Sequence, residues 1–144
     1  MTDSQAHEEP TPASITDYIV VTYPGTDVVS TPEGDGIFFS LNPETHWPNF
    51  ATIVTSDRHD VEQNSDLTAR GLFRLNIGIG PDEFKKRFRG DGDYDYTATN
   101  VLFPHPTYAA QRWVGIVNPS WSTFEAEIKP LLDVACKLVA REKG

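Results

Sequence analysis

Residues 71–88 constrain the fold of this chain more than any other stretch, because they predict a strand, a turn and a helix in direct succession. Residues 72–78 alternate with the period of two that a strand requires. The apolar members of this alternation share one face: Phe73, Leu75 and Ile77. Arg74 and Asn76 therefore share the opposite face, which predicts a sheet that is covered by helices on one side and partly wet on the other.

The second half of this stretch predicts a helix at residues 81–88. Glycines at positions 78 and 80 give the backbone the freedom to turn, and Pro81 suits the first position of a helix. Acidic residues follow Pro81 and basic residues precede Gly90, an order that complements the helix dipole. Gly90 is a suitable residue to end the helix. Phe84 and Phe88, four residues apart, form the inward stripe.

The rest of the chain supplies one helix before this stretch, several strands around it and one long helix at the end. Ser14 with Asp17 indicates the start of the first helix, and Ser122 with Glu125 indicates a capping box for the last one, where Pro130 should cause a kink or a separate first turn. The predicted strands are residues 28–29, 37–41, 50–55, 72–78 and 112–118, with a weakly apolar stretch at 101–103. This order predicts an α+β fold, a two-layer sandwich whose mainly antiparallel sheet of about five strands carries helices on one face.

Composition favours a single domain. The chain has 144 residues, 38% of them hydrophobic, which is enough to build one core. We expect residues 1–13 to form a disordered acidic tail and residues 14–144 to form the domain. The single cysteine, Cys136, excludes an intrachain disulfide and any multi-cysteine metal site. No apolar run is long enough to span a bilayer and no signal peptide is evident, so a soluble, cytoplasmic protein without a membrane partner is expected.

The net charge of −9 is unevenly distributed. Residues 1–57 hold nine acids and no Lys or Arg, whereas residues 58–144 hold twelve charges of each sign. Phosphate backbones repel a protein of this charge, so nucleic acid is an unlikely partner. The one basic cluster, at the end of the helix predicted at residues 81–88, is already explained by the helix dipole.

Two resemblances extend this interpretation. Residues 71–142 resemble the MmcQ/YjbR family, small bacterial proteins with a frataxin-like (CyaY-like) fold, in the strand–helix unit at 73–88, the segment from His105 to Val117, and the Asn-Pro turn before the last helix. The segments FATIVT, GLFRLNIG and HPTYAAQRWV are similar to an actinobacterial family of unknown function, over nearly the whole chain after the tail. The resemblance implies a helix–sheet–helix sandwich, DNA binding through the exposed sheet face in some members, and no known catalytic residues.

A candidate binding site follows from the polar side of the strand at residues 72–78. Arg74 could hold a carboxylate or phosphate and Asn76 could orient it, while neighbouring aromatic side chains supply apolar area. The candidate ligand-binding residues are Asp57, His59, Arg74, Asn76, His105, Tyr108, Arg112 and Trp113. The alternative is structural: Arg74 would pair with a loop acid such as Asp57 or Asp66, and Asn76 would hold loop backbone.

Other chemistry is less well supported by the sequence. His105 lies between two prolines and is either a general base or the cap of a turn. Asp91, Asp93 and Asp95 resemble the start of a calcium loop, but the glycine and glutamate that such a loop requires are missing. The histidines show no metal-ligand spacing and no phosphate-binding loop is present, so no metal and no cofactor is predicted.

Three functions remain open at this point. The first is non-catalytic binding of a small anionic or planar ligand, or of a protein partner, on the open sheet face. The second is DNA binding through that face, and the third is a hydrolase or transferase that uses His105 as its base. An uncovered apolar face could also form a homodimer.

Overall fold

The computed structural model of the chain describes residues 9–59, 65–88, 94–106 and 108–143, without the side chains of His59, Glu142 and Lys143. Its strands are β1 (Asp27–Ser30), β2 (Gly36–Ser40), β3 (Asn49–Val54), β4 (Arg74–Gly78), β5 (Leu102–Pro104) and β6 (Trp113–Val117). Its α-helices are α1 (Pro12–Thr22), α2 (Leu67–Arg70), α3 (Gly80–Arg87), α4 (Trp121–Thr123) and α5 (Lys129–Lys143). Short 3-10 turns occupy Asp57–His59 and Ala109–Gln111, and a π-helical turn, Phe124–Ile128, joins α4 to α5.

The six strands form one antiparallel sheet in the order β1-β2-β3-β4-β6-β5. The predicted α+β class is therefore confirmed, with six strands instead of about five. The additional strand is β5, whose three residues are too short to give a clear alternation. Strand β4 lies between β3 and β6, so that Asn76 pairs with Thr52 on one side and with Gly115 on the other.

The main core lies between one face of the sheet and the helices. Leu75 and Ile77 of β4 contribute to it, as do Ile15 and Ile19 of α1 and a set of residues from the C-terminal helical segment: Phe124, Ile128, Leu131, Leu132, Ala135 and Val139. These positions follow the 3.6-residue period expected of an inward stripe. Helix α3 packs on the same side through Phe84 and Phe88, whose ring centroids are 5.1 Å apart.

Among the described residues, cover on the opposite face of the sheet lies at one end. A second cluster of buried residues, Val54, Leu67, Phe103 and Val117, packs there with the half-buried side chains of Leu72, Tyr94 and Tyr96. Helix α2 and the segment before β5 supply this cover, and the Tyr96 and Phe103 rings meet edge to face at 5.2 Å. The described residues thus shelter the sheet around Arg74 and leave a concavity beside it on this face.

The two helix starts that were predicted from Ser14 and Ser122 lie elsewhere in the structure. Helix α1 begins earlier, because Thr11 and Ser14 form the capping box: the Ser14 N–H donates to Thr11 Oγ1 (3.1 Å) and the Thr11 N–H donates to Ser14 Oγ (2.8 Å). Pro12 and Ala13 therefore lie in the helix, although they were assigned to the tail. The C-terminal helical segment is capped by Ser120 instead of Ser122, since the Thr123 N–H donates to Ser120 Oγ (3.2 Å).

The predicted effect of Pro130 takes a different form. Proline has no N–H and its ring crowds the carbonyl of the preceding turn, so a regular α-helix is not compatible with it there. The structure widens the turn immediately before it, where Phe124–Ile128 is π-helical. A short first helical turn, α4, is thus set apart from α5 by the π-helical turn, and the helical backbone continues past Pro130.

Some predictions fall outside the described residues: the tail at positions 1–8, the stop at Gly90, and Asp91 and Asp93 of the calcium-like sequence. Within the described part of the chain, no helix is both long and apolar enough to cross a membrane.

Candidate functional site

A cavity of about 510 Å³ opens on the sheet face opposite the helices. Its walls come from β2, β3, β4 and β6, from the loop before β3, and from the segment between β5 and β6. The lining residues are Phe38, Trp47, Asn49, Thr52, Val54, Arg74, Asn76, His105, Tyr108, Gln111 and Trp113. The volume falls within the range of small-molecule sites, and four aromatic side chains contribute apolar surface.

The floor of the cavity is a directed chain of hydrogen bonds. Arg74 Nε donates to Asn76 Oδ1 (2.8 Å), and Asn76 Nδ2 donates to Thr52 Oγ1 (3.0 Å). Arginine has no acceptor, so it fixes which end of the amide faces it. The three residues stand side by side across β3 and β4 on the same face, which is the placement that the alternation predicted for Arg74 and Asn76.

The sequence suggested that the side chains of Arg74 and Asn76 are exposed, but the structure buries both of them. Arg74 is 1% exposed and Asn76 is 2% exposed. Arg74 Nη1 also donates to Ser65 Oγ (3.2 Å), beside the cover provided by α2. Burial of a guanidinium is tolerated only when its donors are satisfied, and these bonds are part of that satisfaction.

Two glycines make room for this floor. A Cβ at Gly115 would lie 3.0 Å from Asn76 Oδ1, 3.1 Å from Arg74 Cδ and 3.1 Å from Phe103 Cε1. A Cβ at Gly78 would lie 2.8 Å from the indole of Trp113. The strand positions next to the polar residues must therefore carry no side chain, so that the arginine and the indole can lie against the sheet.

His105 is a buried, neutral histidine. Its Nδ1 accepts the backbone N–H of Tyr108 (3.0 Å), so the remaining ring hydrogen is on Nε2. Burial, with a smaller effect from the charge of Arg74, lowers the pKa of His105 to about 3. The ring contacts Tyr108 at 5.0 Å between centroids, and it closes the turn as the structural alternative for this residue predicted.

The rim of the cavity carries polar groups that have no partner within the described part of the protein. The side-chain amides of Asn49 and Gln111, the Tyr108 hydroxyl and the Nε1–H of Trp113 all line the cavity, and none of them bonds to another protein group there. Trp47 is 66% exposed at the same rim. Its loop is tied to β1 where His46 Nδ1 meets Asp27 Oδ2 at 2.6 Å.

The structure thus brings together five of the eight predicted residues: Arg74, Asn76, His105, Tyr108 and Trp113. Arg112 is not among the lining residues, because its guanidinium lies over the Phe84 ring, 5.7 Å from the centroid, and donates to the Ala110 carbonyl. Asp57 instead caps α2 through the Leu67 N–H (2.8 Å). The side chain of His59 lies outside the described residues.

Sequence reasoning missed six lining residues: Phe38, Trp47, Asn49, Thr52, Val54 and Gln111. The alternation of β2 and β3 places Phe38, Thr52 and Val54 on the faces opposite Phe39 and Ile53, so the face on which they lie can be predicted from the sequence. Which residues lie beside them cannot, because pairing of β3 with β4 is a long-range contact that one sequence does not specify. Among the described residues, no group of three or more His, Cys, Asp or Glu side chains could hold a metal ion.

Comparison with known proteins gives one result. No curated protein and no solved structure matches the chain. Residues 10–143 match the model of DUF6194, a family of unknown function, and the chain therefore belongs to that family.

Proposed function

We propose that this protein binds a small anionic or planar ligand in the cavity on the open sheet face, without catalysing a reaction on it. The observation that carries the proposal is the lining of the cavity: four aromatic side chains surround a polar floor whose only charged member among the described residues is Arg74. A flat apolar ligand would contact the aromatic walls, and the polar floor would orient it.

The two other functions have less support. His105 is a poor general base near neutral pH, because a group with a pKa of about 3 hardly takes up a proton there. DNA binding, which the MmcQ/YjbR resemblance suggests, would need cations exposed on the open face, whereas Arg74 is buried at the bottom of a cavity. A common origin with the MmcQ/YjbR proteins and with actinobacterial relatives is part of the same proposal.

A protein partner at the aromatic rim remains the second candidate, since Trp47 and Tyr108 are exposed there.

A thermal-shift screen of small carboxylates, phosphates and heteroaromatic compounds tests the proposal. Compounds that raise the melting temperature are then measured with Gln111→Trp, which places a large side chain at the exposed rim and fills the cavity. We expect this variant to lose the stabilisation, because bound ligand stabilises only a protein that can still admit it.

The matched control is Lys137→Trp. This exposed position lies on α5, which packs against the other face of the sheet, so the substitution adds the same side chain away from the cavity. Ligands that stabilise both variants as they stabilise the original protein would place the binding site elsewhere and overturn the proposal.

A further inference from the structure

The end of the cavity at the start of β3 is shaped by a β-bulge. Phe39 of β2 pairs with Ala51 and Ser40 pairs with Asn49, so that β3 has one extra residue, Phe50, between the two pairs. Phe50 and Ala51 both lie in the main core with no exposed surface, although successive residues of a regular strand point to opposite faces. The bulge therefore places Asn49 at the cavity, where unbroken alternation would have turned it to the core.

The bulge brings an available amide to the cavity. The side chain of Asn49 is half-buried and forms no hydrogen bond with the described residues. Its polar atoms are reachable from solvent, because among the described buried and half-buried residues only Thr16 Oγ1 is closed off without a partner. A primary amide carries an acceptor oxygen and two N–H donors in one plane. Asn49 can therefore bind a group that presents an acceptor and a donor side by side.

The other available groups of the lining also include both donors and acceptors. The amide of Gln111 and the hydroxyl of Tyr108 can each donate and accept. The hydroxyl of Thr52 keeps its hydrogen and one lone pair after it accepts from Asn76, whereas the indole Nε1–H of Trp113 only donates. A ligand that carries donors alone or acceptors alone would leave part of this lining unsatisfied.

The indole of Trp113 supplies a flat surface beside the Asn49 amide. Trp113 pairs with Gly78, and its indole extends over that glycine, where a Cβ would lie only 2.8 Å from the ring. Ala51 pairs with Ile77, so Asn49 and Gly78 lie at the same end of neighbouring strands, which are about 5 Å apart in a sheet. The aromatic surface and the amide are therefore adjacent.

We infer that the cavity selects a planar ring with a lactam edge, in which a ring N–H lies beside a C=O, with that edge on the Asn49 amide and the ring against the indole of Trp113. This inference rests on the proposed function and names its ligand class. Asn49 Nδ2 donates to the C=O of the ligand and Asn49 Oδ1 accepts its N–H, which is the two-bond pairing by which amide side chains recognise heteroaromatic bases. Arg74, which Asn76 and Ser65 engage, has no part in this pairing.

Two isomeric probes test the lactam edge. 4-Methylquinolin-2(1H)-one keeps the ring N–H, whereas 1-methylquinolin-2(1H)-one carries its methyl group on that nitrogen; both are uncharged and equal in mass. Affinities come from isothermal titration calorimetry, and the binding position comes from N–H shifts in ¹H–¹⁵N spectra of the whole chain. We expect the 4-methyl isomer to bind at least about tenfold more tightly, because the other isomer leaves Asn49 Oδ1 without a donor. It should also shift the Asn49 side-chain and Trp113 indole resonances.

Two variants examine the amide itself. Asn49→Leu has a similar size and removes both polar atoms, so the preference for the 4-methyl isomer should disappear. Asn49→Asp retains an acceptor for the ligand N–H, so it should keep the preference while binding both isomers less tightly. A preference that survives in the leucine variant would show that Asn49 does not pair with the lactam. The comparison of the isomers on the original protein decides the ligand class even if the leucine variant does not fold.

The outcomes separate the two proposals, with 2-naphthoate as an anionic third probe. If the isomers bind in the cavity with equal affinity, or if 2-naphthoate alone shifts cavity resonances, the lactam class is wrong and the binding function stands. If none of the three probes shifts a resonance of a cavity residue at millimolar concentration, the binding function fails together with the inference. A uracil oligonucleotide that shifts the same resonances at lower concentration than the 4-methyl isomer would assign the lactam edge to a base in a strand and overturn a free ligand.

Discussion

At the scale of single residues, position 115 shows how tightly the cavity floor is packed. We predict that Gly115→Ala destabilises the protein by about 1–3 kcal/mol, because the new methyl group would crowd three side chains at once: Asn76, Arg74 and Phe103. The hydrogen bond between Arg74 and Asn76 prevents either side chain from yielding freely. Urea denaturation of the variant and the original protein measures this loss.

Gly78→Ala is the matched comparison. The three atoms nearest its methyl group would all belong to the indole of Trp113, which is half-buried at the cavity and can move away from the strand. This variant should lose less stability than Gly115→Ala and should shift the tryptophan fluorescence. If the two variants lose equal stability, the hydrogen-bonded floor is not the rigid part of this face.

The buried imidazole of His105 predicts a pH dependence of stability. The unfolded chain takes up a proton on this residue as the pH falls through about 6.5, whereas the folded protein does so only near 3. Between these values the unfolded state holds more protons, so the free energy of unfolding falls with falling pH, by up to about 1.4 kcal/mol per pH unit. The contribution is complete above pH 6.5.

The variant His105→Asn isolates this contribution, since its Oδ1 can replace Nδ1 as acceptor for the Tyr108 N–H and it does not titrate. Urea denaturation between pH 7 and pH 4.5 should show a smaller loss of stability in this variant than in the original protein. Parallel curves for His105→Asn and the original protein would contradict a depressed pKa of His105.

The sequence predicted the side of the strand on which Arg74 and Asn76 lie, but it did not predict their burial. Alternation depends only on the local period of two, which is visible in a single chain. Burial depends on what covers the face, and here the cover comes from α2 and from Phe103, which are distant in sequence. Arg112 was also predicted at the site; it adopts a φ of 68° just before β6, and its side chain lies over Phe84 and is not among the lining residues.

At the scale of secondary-structure elements, the start of the C-terminal helical segment gives a prediction with an internal control. Ser120→Ala should cost about 1 kcal/mol, because it removes the acceptor of the Thr123 N–H. Ser122→Ala, two residues later and exposed, should change the stability by less than about 0.5 kcal/mol. Urea denaturation distinguishes the two variants. A greater loss of stability for Ser122→Ala would indicate that Ser122 is the cap, as the sequence suggested.

The elements themselves were largely predictable, and their ends were not. The strands β2, β3, β4 and β6 and the helices α1 and α3 each coincide with a predicted element within a few residues. Their interiors repeat a pattern over several residues, whereas a cap depends on one side chain and several Ser and Thr residues compete for it. Ser14 and Ser120 show this competition, since each lies in a stretch with another suitable residue nearby.

At the scale of the whole molecule, the order of the strands is what creates the cavity. Neighbouring β4 and β6 are separated by the segment that contains α3 and β5, and the residues that meet on the open face come from positions 38 to 113. Hydrophobic periodicity assigns each strand two faces, but it does not say which strand lies beside which. The fold class was therefore accessible from the sequence, while the complete lining of the cavity was not.

The charge distribution of the molecule predicts its behaviour with nucleic acid. The net charge is −9, and the basic end of α3 is partly neutralised by its own neighbours. Arg87 Nη1 lies 3.0 Å from Glu127 Oε1, and Lys86 Nζ lies 3.4 Å from Glu83 Oε2. These pairs offset part of the positive charge that a phosphate backbone would meet.

We expect no retardation of a DNA duplex or a single strand in a gel-shift experiment at low salt, where electrostatic binding is strongest. The double variant Lys85→Glu/Lys86→Glu should behave like the original protein, because there is no binding to remove. Retardation that disappears in this variant and at higher salt would identify α3 as a phosphate-binding surface. Retardation that persists in this variant but disappears in Gln111→Trp would instead place nucleic acid in the cavity, since only a ligand that enters the open sheet face is sensitive to a side chain that fills it.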